Sequence, residues 1–361
     1  MPISATETIT LAFQHTKRQL FQPFRIWQWT RLAIVGLLAG ETGSSGKFNF
    51  PANFNIPQRS GSSQNFLPQG WPHIDPAILG TLIAVLVVTG LVFAIVMLYI
   101  SSVMRFILFD SVLTRECHIR EGWSRRQGPG WDYFLWQLGL AIVVLVGLGV
   151  LVGIPVAYAY ARGWFRQPNQ HVAPMMLGGI VMFCLFFVFV VAAYLVDVLT
   201  KDFVVPQMAL EGVDAIEGWR RLWPMIERET GRYAGYVGMK IVLAIGAGIV
   251  VGIVAFIIGL MIAIPAVVMS LAAIFGGKAA GLTWNALTVT AAIVAGCIAL
   301  AVLLYVIALI SVPVIVFFPA YAIYFFAARY RPLSLALYPP PTTSLNAPPP
   351  DFPPPAPSPA G

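Results

Sequence analysis

Five stretches of this chain carry no charged residue over 29 positions or more. They are Pro76–Met104 and Tyr133–Ala161 with 29 each, Gln167–Val196 with 30, Ile241–Gly277 with 37 and Ala279–Ala328 with 50. Crossing about 30 Å of hydrocarbon at 1.5 Å per residue takes about 20 helical residues, so each run is long enough to span a bilayer. The two longest have the length for two crossings. Neither interior offers a polar turn, and a reversal there would leave backbone groups unpaired in lipid, so each is expected to be one long helix, kinked at Pro265 or Pro313 or opening a short re-entrant segment. Only 10% of the 361 residues are charged, against about 25% in soluble domains, which excludes a soluble globular or a disordered chain.

A sixth crossing is expected earlier, where nine uncharged residues, Leu32–Gly40, lie between Arg31 and Glu41 and Trp27 and Trp29 extend the helix to headgroup level. Positive charge favours it. With six crossings, 17 of the 22 Lys and Arg residues fall in segments assigned to the cytoplasm and 5 on the other side; without the first, the split falls to 13 against 9. The expectation is a multi-pass membrane protein with both termini cytoplasmic. Its net charge of +7 is then a leaflet signal and not a sign of nucleic-acid binding. All ten tryptophans fall in or near predicted loops or helix ends, as rings anchored at interfaces do.

The first 21 residues lack the apolar core of a cleavable signal peptide, and residues 1–24 read as a cytoplasmic amphipathic helix lying on the inner leaflet, with Ile9, Ala12, Phe13, Leu20 and Phe21 apolar and Gln14, Lys17 and Arg18 polar. Residues 25–331 form the six-helix domain. Its external loop, 41–75, is rich in Ser, Gly, Asn, Pro and Phe. Residues 332–361 read as a disordered proline-rich cytoplasmic tail. Cys117, Cys184 and Cys297 are too few and too scattered for a disulfide framework, Cys117-His118 is not spaced for a metal, and no cofactor is implied.

The chain also repeats itself. Glu121-Gly122-Trp123-Ser124-Arg125-Arg126 recurs as Glu217-Gly218-Trp219-Arg220-Arg221, Arg105-Phe106-Ile107-Leu108-Phe109 matches Asp202-Phe203-Val204-Val205-Pro206 in hydrophobic pattern, and Gly147, Gly149 and Gly153 match Gly246, Gly248 and Gly252. These correspondences predict a parallel duplication of the second and third crossings in the fourth and fifth, over about 77–161 and 174–264. Gly149-x-x-x-Gly153 and Gly248-x-x-x-Gly252 are expected to be helix-packing contacts. In the second cytoplasmic segment, Asp214 and Glu217 form a capping box, Glu217 and Arg221 lie one turn apart, and Pro224 ends or kinks the helix.

The stretch Asp202-Phe203-Val204-Val205-Pro206-Gln207-Met208-Ala209-Leu210-Glu211-Gly212, followed by Glu217 to Arg221, resembles the membrane domain of bacterial membrane-anchored glycerophosphoryl diester phosphodiesterases and related uncharacterised six-helix bacterial membrane proteins. In that family catalysis belongs to a separate metal-dependent α/β barrel, for which about 250 residues would be needed outside the helices. The resemblance therefore implies a polytopic inner-membrane protein without that activity.

The fold expected is an all-α integral membrane protein with six transmembrane helices, interfacial amphipathic helices and a parallel repeat. No catalytic motif is present, so an enzyme is not expected. The candidate headgroup-binding residues are Arg125, Arg126, Arg220 and Arg221 with Trp123 and Trp219, taking anionic membrane lipids as partners. Four further polar residues stand at or inside the membrane boundary: Lys240, expected to snorkel to the interface, Asp197 and Lys201, expected to pair at i,i+4, and Asp110, without an evident partner in sequence. Two functions follow: a lipid-associating membrane scaffold, or a transporter or flippase-like carrier of a small or amphipathic substrate. A polar cavity between the helices would favour the carrier.

Overall fold

The computed structural model describes residues 5–41, 76–164, 172–279 and 286–338. Among these, every regular element is helical: α1 (Ala5–Phe21), α2 (Ile26–Leu38), α3 (Pro76–Thr114), α4 (Ile119–Ala161), α5 (Val172–Leu199), a π-helical turn (Thr200–Val204), α6 (Val205–Glu211), α7 (Ala215–Arg228), α8 (Thr230–Ala279), α9 (Ala286–Ala327) and α10 (Arg331–Leu337). Five helical stretches are long and apolar enough to cross a membrane: Gly80–Thr114, Ile119–Ala161, Val172–Glu211, Thr230–Ser270 and Val289–Ala327. The chain is thus an all-helical membrane protein of the multi-pass kind. The Leu32–Gly40 crossing is not among the five. With 13 residues, α2 is about 20 Å long, short of a bilayer's ~30 Å. The two longest uncharged runs are single helices, α8 continuing through Pro265 and α9 through Pro313 and Pro319. The loop 41–75 lies outside the described residues except for Glu41.

At 39 to 50 residues, α3, α4, α8 and α9 run about 58 to 75 Å, twice what a bilayer requires. Each therefore has two zones. In residues 78–97, 142–160, 172–191, 241–269 and 289–305 most large apolar side chains are exposed. In α3 the consecutive Val85, Leu86, Val87 and Val88 are 57–69% exposed, which on a 3.6-residue helix means that no face is covered. The other zone is packed. Residues 102–109, 202–209 and 320–327 are buried without a break, so α3, the π-turn with α6, and α9 are surrounded on all sides there. Phe203 meets Tyr233, Tyr236, Phe325 and Phe326 at 5.1–5.9 Å, and Tyr236 stacks on Tyr321 at 5.0 Å.

The shorter helices wrap this core. α1 packs against α9, burying Thr8, Ala12, His15, Thr16, Gln19 and Leu20 while Phe13 and Phe21 point outward. Its covered face is thus a mixed one set against protein, and the apolar face expected to lie on the leaflet is divided. The expected tail begins with structure: Pro332 sits at the start of α10, where its fixed φ suits a helix, and Leu333 is buried. Residues 339–361 lie outside the described part. α7 starts after Asp214, but that side chain makes no capping bond, and Pro224 lies inside a helix that continues to Arg228. α6 ends at Gly212, whose φ of 68° is the left-handed conformation that glycine adopts without strain.

Candidate functional site

Where the exposed zone gives way to the packed one, ionisable side chains gather between α3, the π-turn, α8 and the end of α2. Arg105 donates from Nη1 to Glu41 at 2.8 Å and from Nη2 to the Ala39 carbonyl at 2.6 Å, while its Nε has no partner among the described residues. Asp202 Oδ2 accepts from Lys240 Nζ at 2.5 Å and from the Tyr236 hydroxyl at 2.9 Å. Lys201 and Asp197 pair at 2.6 Å. The π-turn carries both Lys201 and Asp202, and as helix neighbours they point to different sides and serve different partners. Glu41, Arg105, Lys201, Asp202 and Lys240 line a cavity of about 40 Å³, room for a few waters. Three cations face three anions, so the layer is close to neutral. Beyond it, Arg329 donates to Glu229 at 2.8 Å and holds that carboxyl below its usual range.

The predicted headgroup residues do not converge. Arg126 is turned inward: Nε and Nη2 each donate to Asp110 at 2.7 Å and Nη1 to the Ala209 carbonyl at 2.7 Å. It ties α4 to α3 and α6, and Asp110 thereby gains the partner missing from its local sequence. Arg221 pairs with Glu217 at 3.0 Å and with Glu211. Arg220 is exposed 3.6 Å from Glu217, and Arg125 is exposed. Trp219 donates to the Thr200 hydroxyl at 3.0 Å and lies beside Trp136, while Trp123 packs on Tyr99. Both indoles thus face protein. Lys240 does not snorkel outward, being bound to Asp202.

The glycine expectation is also corrected. A Cβ built on Gly149, Gly153, Gly248 or Gly252 meets nothing within 4 Å, so among the described residues no neighbouring helix packs against these four positions. The close approaches are elsewhere: Gly36 against Ile315, Gly130 against Val103, Gly147 against Phe189 and Gly218 against Val204, where a Cβ would come within 2.3–2.7 Å.

A family model described as a family of unknown function, DUF7544, matches residues 3–336. The chain belongs to that family. The DUF7544 match runs from α1 into α10 and so takes in both zones and the ionic layer between them. No curated protein and no solved structure matches the chain. Of the ionic layer in this DUF7544 member, Arg105, Asp202, Glu41 and Tyr236 were not legible as site residues. A signal for two of them existed: Arg105 and Asp202 head the two matched segments of the repeat with opposite charge.

Proposed function

We propose that the protein is a lipid-associating membrane scaffold. The observation that carries this reading is the uncovered state of the apolar helices: consecutive residues such as Val85 to Val88 are exposed on every face, so acyl chains have access between the helices as well as around them. The packed, aromatic end holds the helices in place. It is assigned to the cytoplasm because the positive residues of α1, the α3–α4 turn, α7 and the C-terminal turn gather there. His15 and Gln19 of α1 bind the Val112 and Ser111 carbonyls at that end of α3, and α10 packs against α9 and α6. Both described ends of the chain thus lie on one side, which calls for an even number of crossings. The proposed topology therefore includes a sixth crossing before α3.

Two recurring contacts support an internal duplication. Gly122 faces Ile107 as Gly218 faces Val204, and Phe106 meets Tyr133 edge-on at 5.9 Å as Phe203 meets Tyr233 at 5.3 Å. A second reading, a transporter or flippase-like carrier of a small or amphipathic substrate, is favoured by the cavity at Arg105 and Lys240.

Spin labels placed singly at Val85, Leu86, Val87 and Val88 in liposomes test the scaffold reading. Equal oxygen accessibility at all four is expected. A dip recurring with helical period would show a covered face and overturn it.

A further inference from the structure

A second cavity, of about 350 Å³, opens at the packed end between α1, α2 and the turn joining α3 to α4. Its wall is polar and carries three guanidiniums: Arg18 from the last turn of α1, Arg25 at the head of α2, and Arg115 just past α3. Among the described residues none of the three stands within 4.0 Å of a carboxylate. Glu116, the one carboxylate in the wall, faces His118 at 4.0 Å. Arg105, Arg126 and Arg329, which are buried or half-buried, each hold an acid, whereas Arg18, Arg25 and Arg115 are exposed around the cavity.

Backbone geometry supports the site. Arg115 has φ 63°, the one non-glycine residue in the left-handed region among those described, a conformation that persists only where the surroundings hold it. What holds it is Gln28, whose side-chain nitrogen donates to the Arg115 carbonyl at 2.8 Å.

The rim decides the kind of ligand. Interleaved with the wall residues Gln22, Pro23 and Arg25 are Phe21, Phe24, Ile26 and Trp27, all 53–67% exposed. Arg31 lies over the Trp27 ring at 5.3 Å. Exposed aromatic rings beside arginines are the composition of a membrane interface, and planar guanidiniums match phosphate oxygens two at a time. We propose that this cavity binds the phosphate of an anionic phospholipid headgroup, with the acyl chains leaving over the Phe24 and Trp27 rim. The inference rests on the lipid-associating reading but places it at a single site, so it can fail while the spin-label result stands.

The full chain in mild detergent is titrated with phosphatidylglycerol, and bound lipid is counted by native mass spectrometry. Three proteins are compared: wild type, the triple variant Arg18→Gln, Arg25→Gln, Arg115→Gln, and a control of equal charge loss, Arg125→Gln, Arg220→Gln, Arg221→Gln. At least a tenfold loss of affinity in the first variant, with the control near wild type, is expected. Equal loss in both variants would reduce the effect to net charge and overturn the site. Displacement of the lipid by millimolar inorganic phosphate or glycerol phosphate would make it a site for soluble phosphates and overturn the lipid assignment. If the triple variant is not recovered folded, a photoreactive phosphatidylglycerol on the wild type decides. Crosslinks to residues 18–28 or 114–116 support the proposal, and crosslinks confined to the apolar helices overturn it.

Discussion

Arg126 reaches back 16 residues to Asp110, across the turn between α4 and α3, with two nitrogens each 2.7 Å from one of its carboxylate oxygens. The arginine side chain is 11% exposed and the aspartate 25%, a partly buried, two-point pair that also serves the Ala209 carbonyl. Removing one partner leaves the other half-buried and unpaired, so Arg126→Gln is expected to destabilise the packed end by about 2–3 kcal/mol, below the range for fully buried pairs. Adding Asp110→Asn should recover part of that loss. Thermal melting of the two single variants and the double variant in detergent reads the coupling, and additive losses would contradict it.

The glycine contacts sort into two classes that melting can separate. Gly218→Ala would drive a Cβ to within 2.6 Å of Val204, on the buried face of α7, and is expected to cost about 1–3 kcal/mol by overpacking. Gly149→Leu and Gly252→Leu point into open space and should melt like wild type. The reverse order would mean that these glycines meet a second copy of the chain.

Lys240 and Asp202 form the tightest part of the ionic layer. Lys240→Met leaves Asp202 buried with Tyr236 as its remaining partner, and should lower stability by about 3 kcal/mol or more. Asp202→Asn in the same chain should restore much of it, because a neutral amide needs no counter-charge. A double variant no more stable than Lys240→Met would assign the ammonium another role.

His15 provides a pH dependence. Its Nε2 lies 2.9 Å from the Val112 carbonyl and so carries the proton, while Nδ1 at 3.1 Å accepts from the Tyr324 hydroxyl. Burial first, and then the charge of Arg115, lower its pKa from 6.5. Below that value the unfolded chain binds a proton that the folded state resists, so this contribution is intact above about pH 6.5 and is lost as the pH falls through it. His15→Gln should melt lower at pH 7.5 but show a flatter decline from pH 7 to pH 5. Parallel curves for the two proteins would exclude the imidazole.

The proposed orientation is checked by labelling. With the native cysteines replaced, a cysteine at Ser62 should react with an impermeant reagent outside intact cells and one at Ser344 should not. Labelling at Ser344 would reverse the assignment.

Uncharged runs made the membrane helices legible because lipid tolerates few charges, and α8 and α9 are the single helices that the lack of a polar turn demanded. The same signal hid the core. A run ends at its first charge, at Met104 in α3 and at Val196 in α5, whereas the helices continue to Thr114 and, through the π-turn, to Glu211. Arg105 and Asp202 look like loop markers in sequence and are buried because Glu41, just past α2, and Lys240, on α8, pair with them. Arg126 looked like a headgroup ligand for the same reason: its acid lies across a turn, where spacing rules do not reach. Glycine spacing, likewise, carries no information about what stands opposite.

Helices gripped at one end and uncovered over the rest behave mechanically as cantilevers. Between Arg105 at the grip and Pro76 at the tip, α3 has 29 residues, about 43 Å of lever. A tilt of about 10° at the base would swing that tip roughly 7 Å, with few side-chain contacts to resist it along the way. The spread of the tips is then governed by bilayer thickness and lateral pressure more than by the protein's own packing. The neutral, cross-linked layer around Arg105 and Asp202 is the fulcrum against which that displacement is felt.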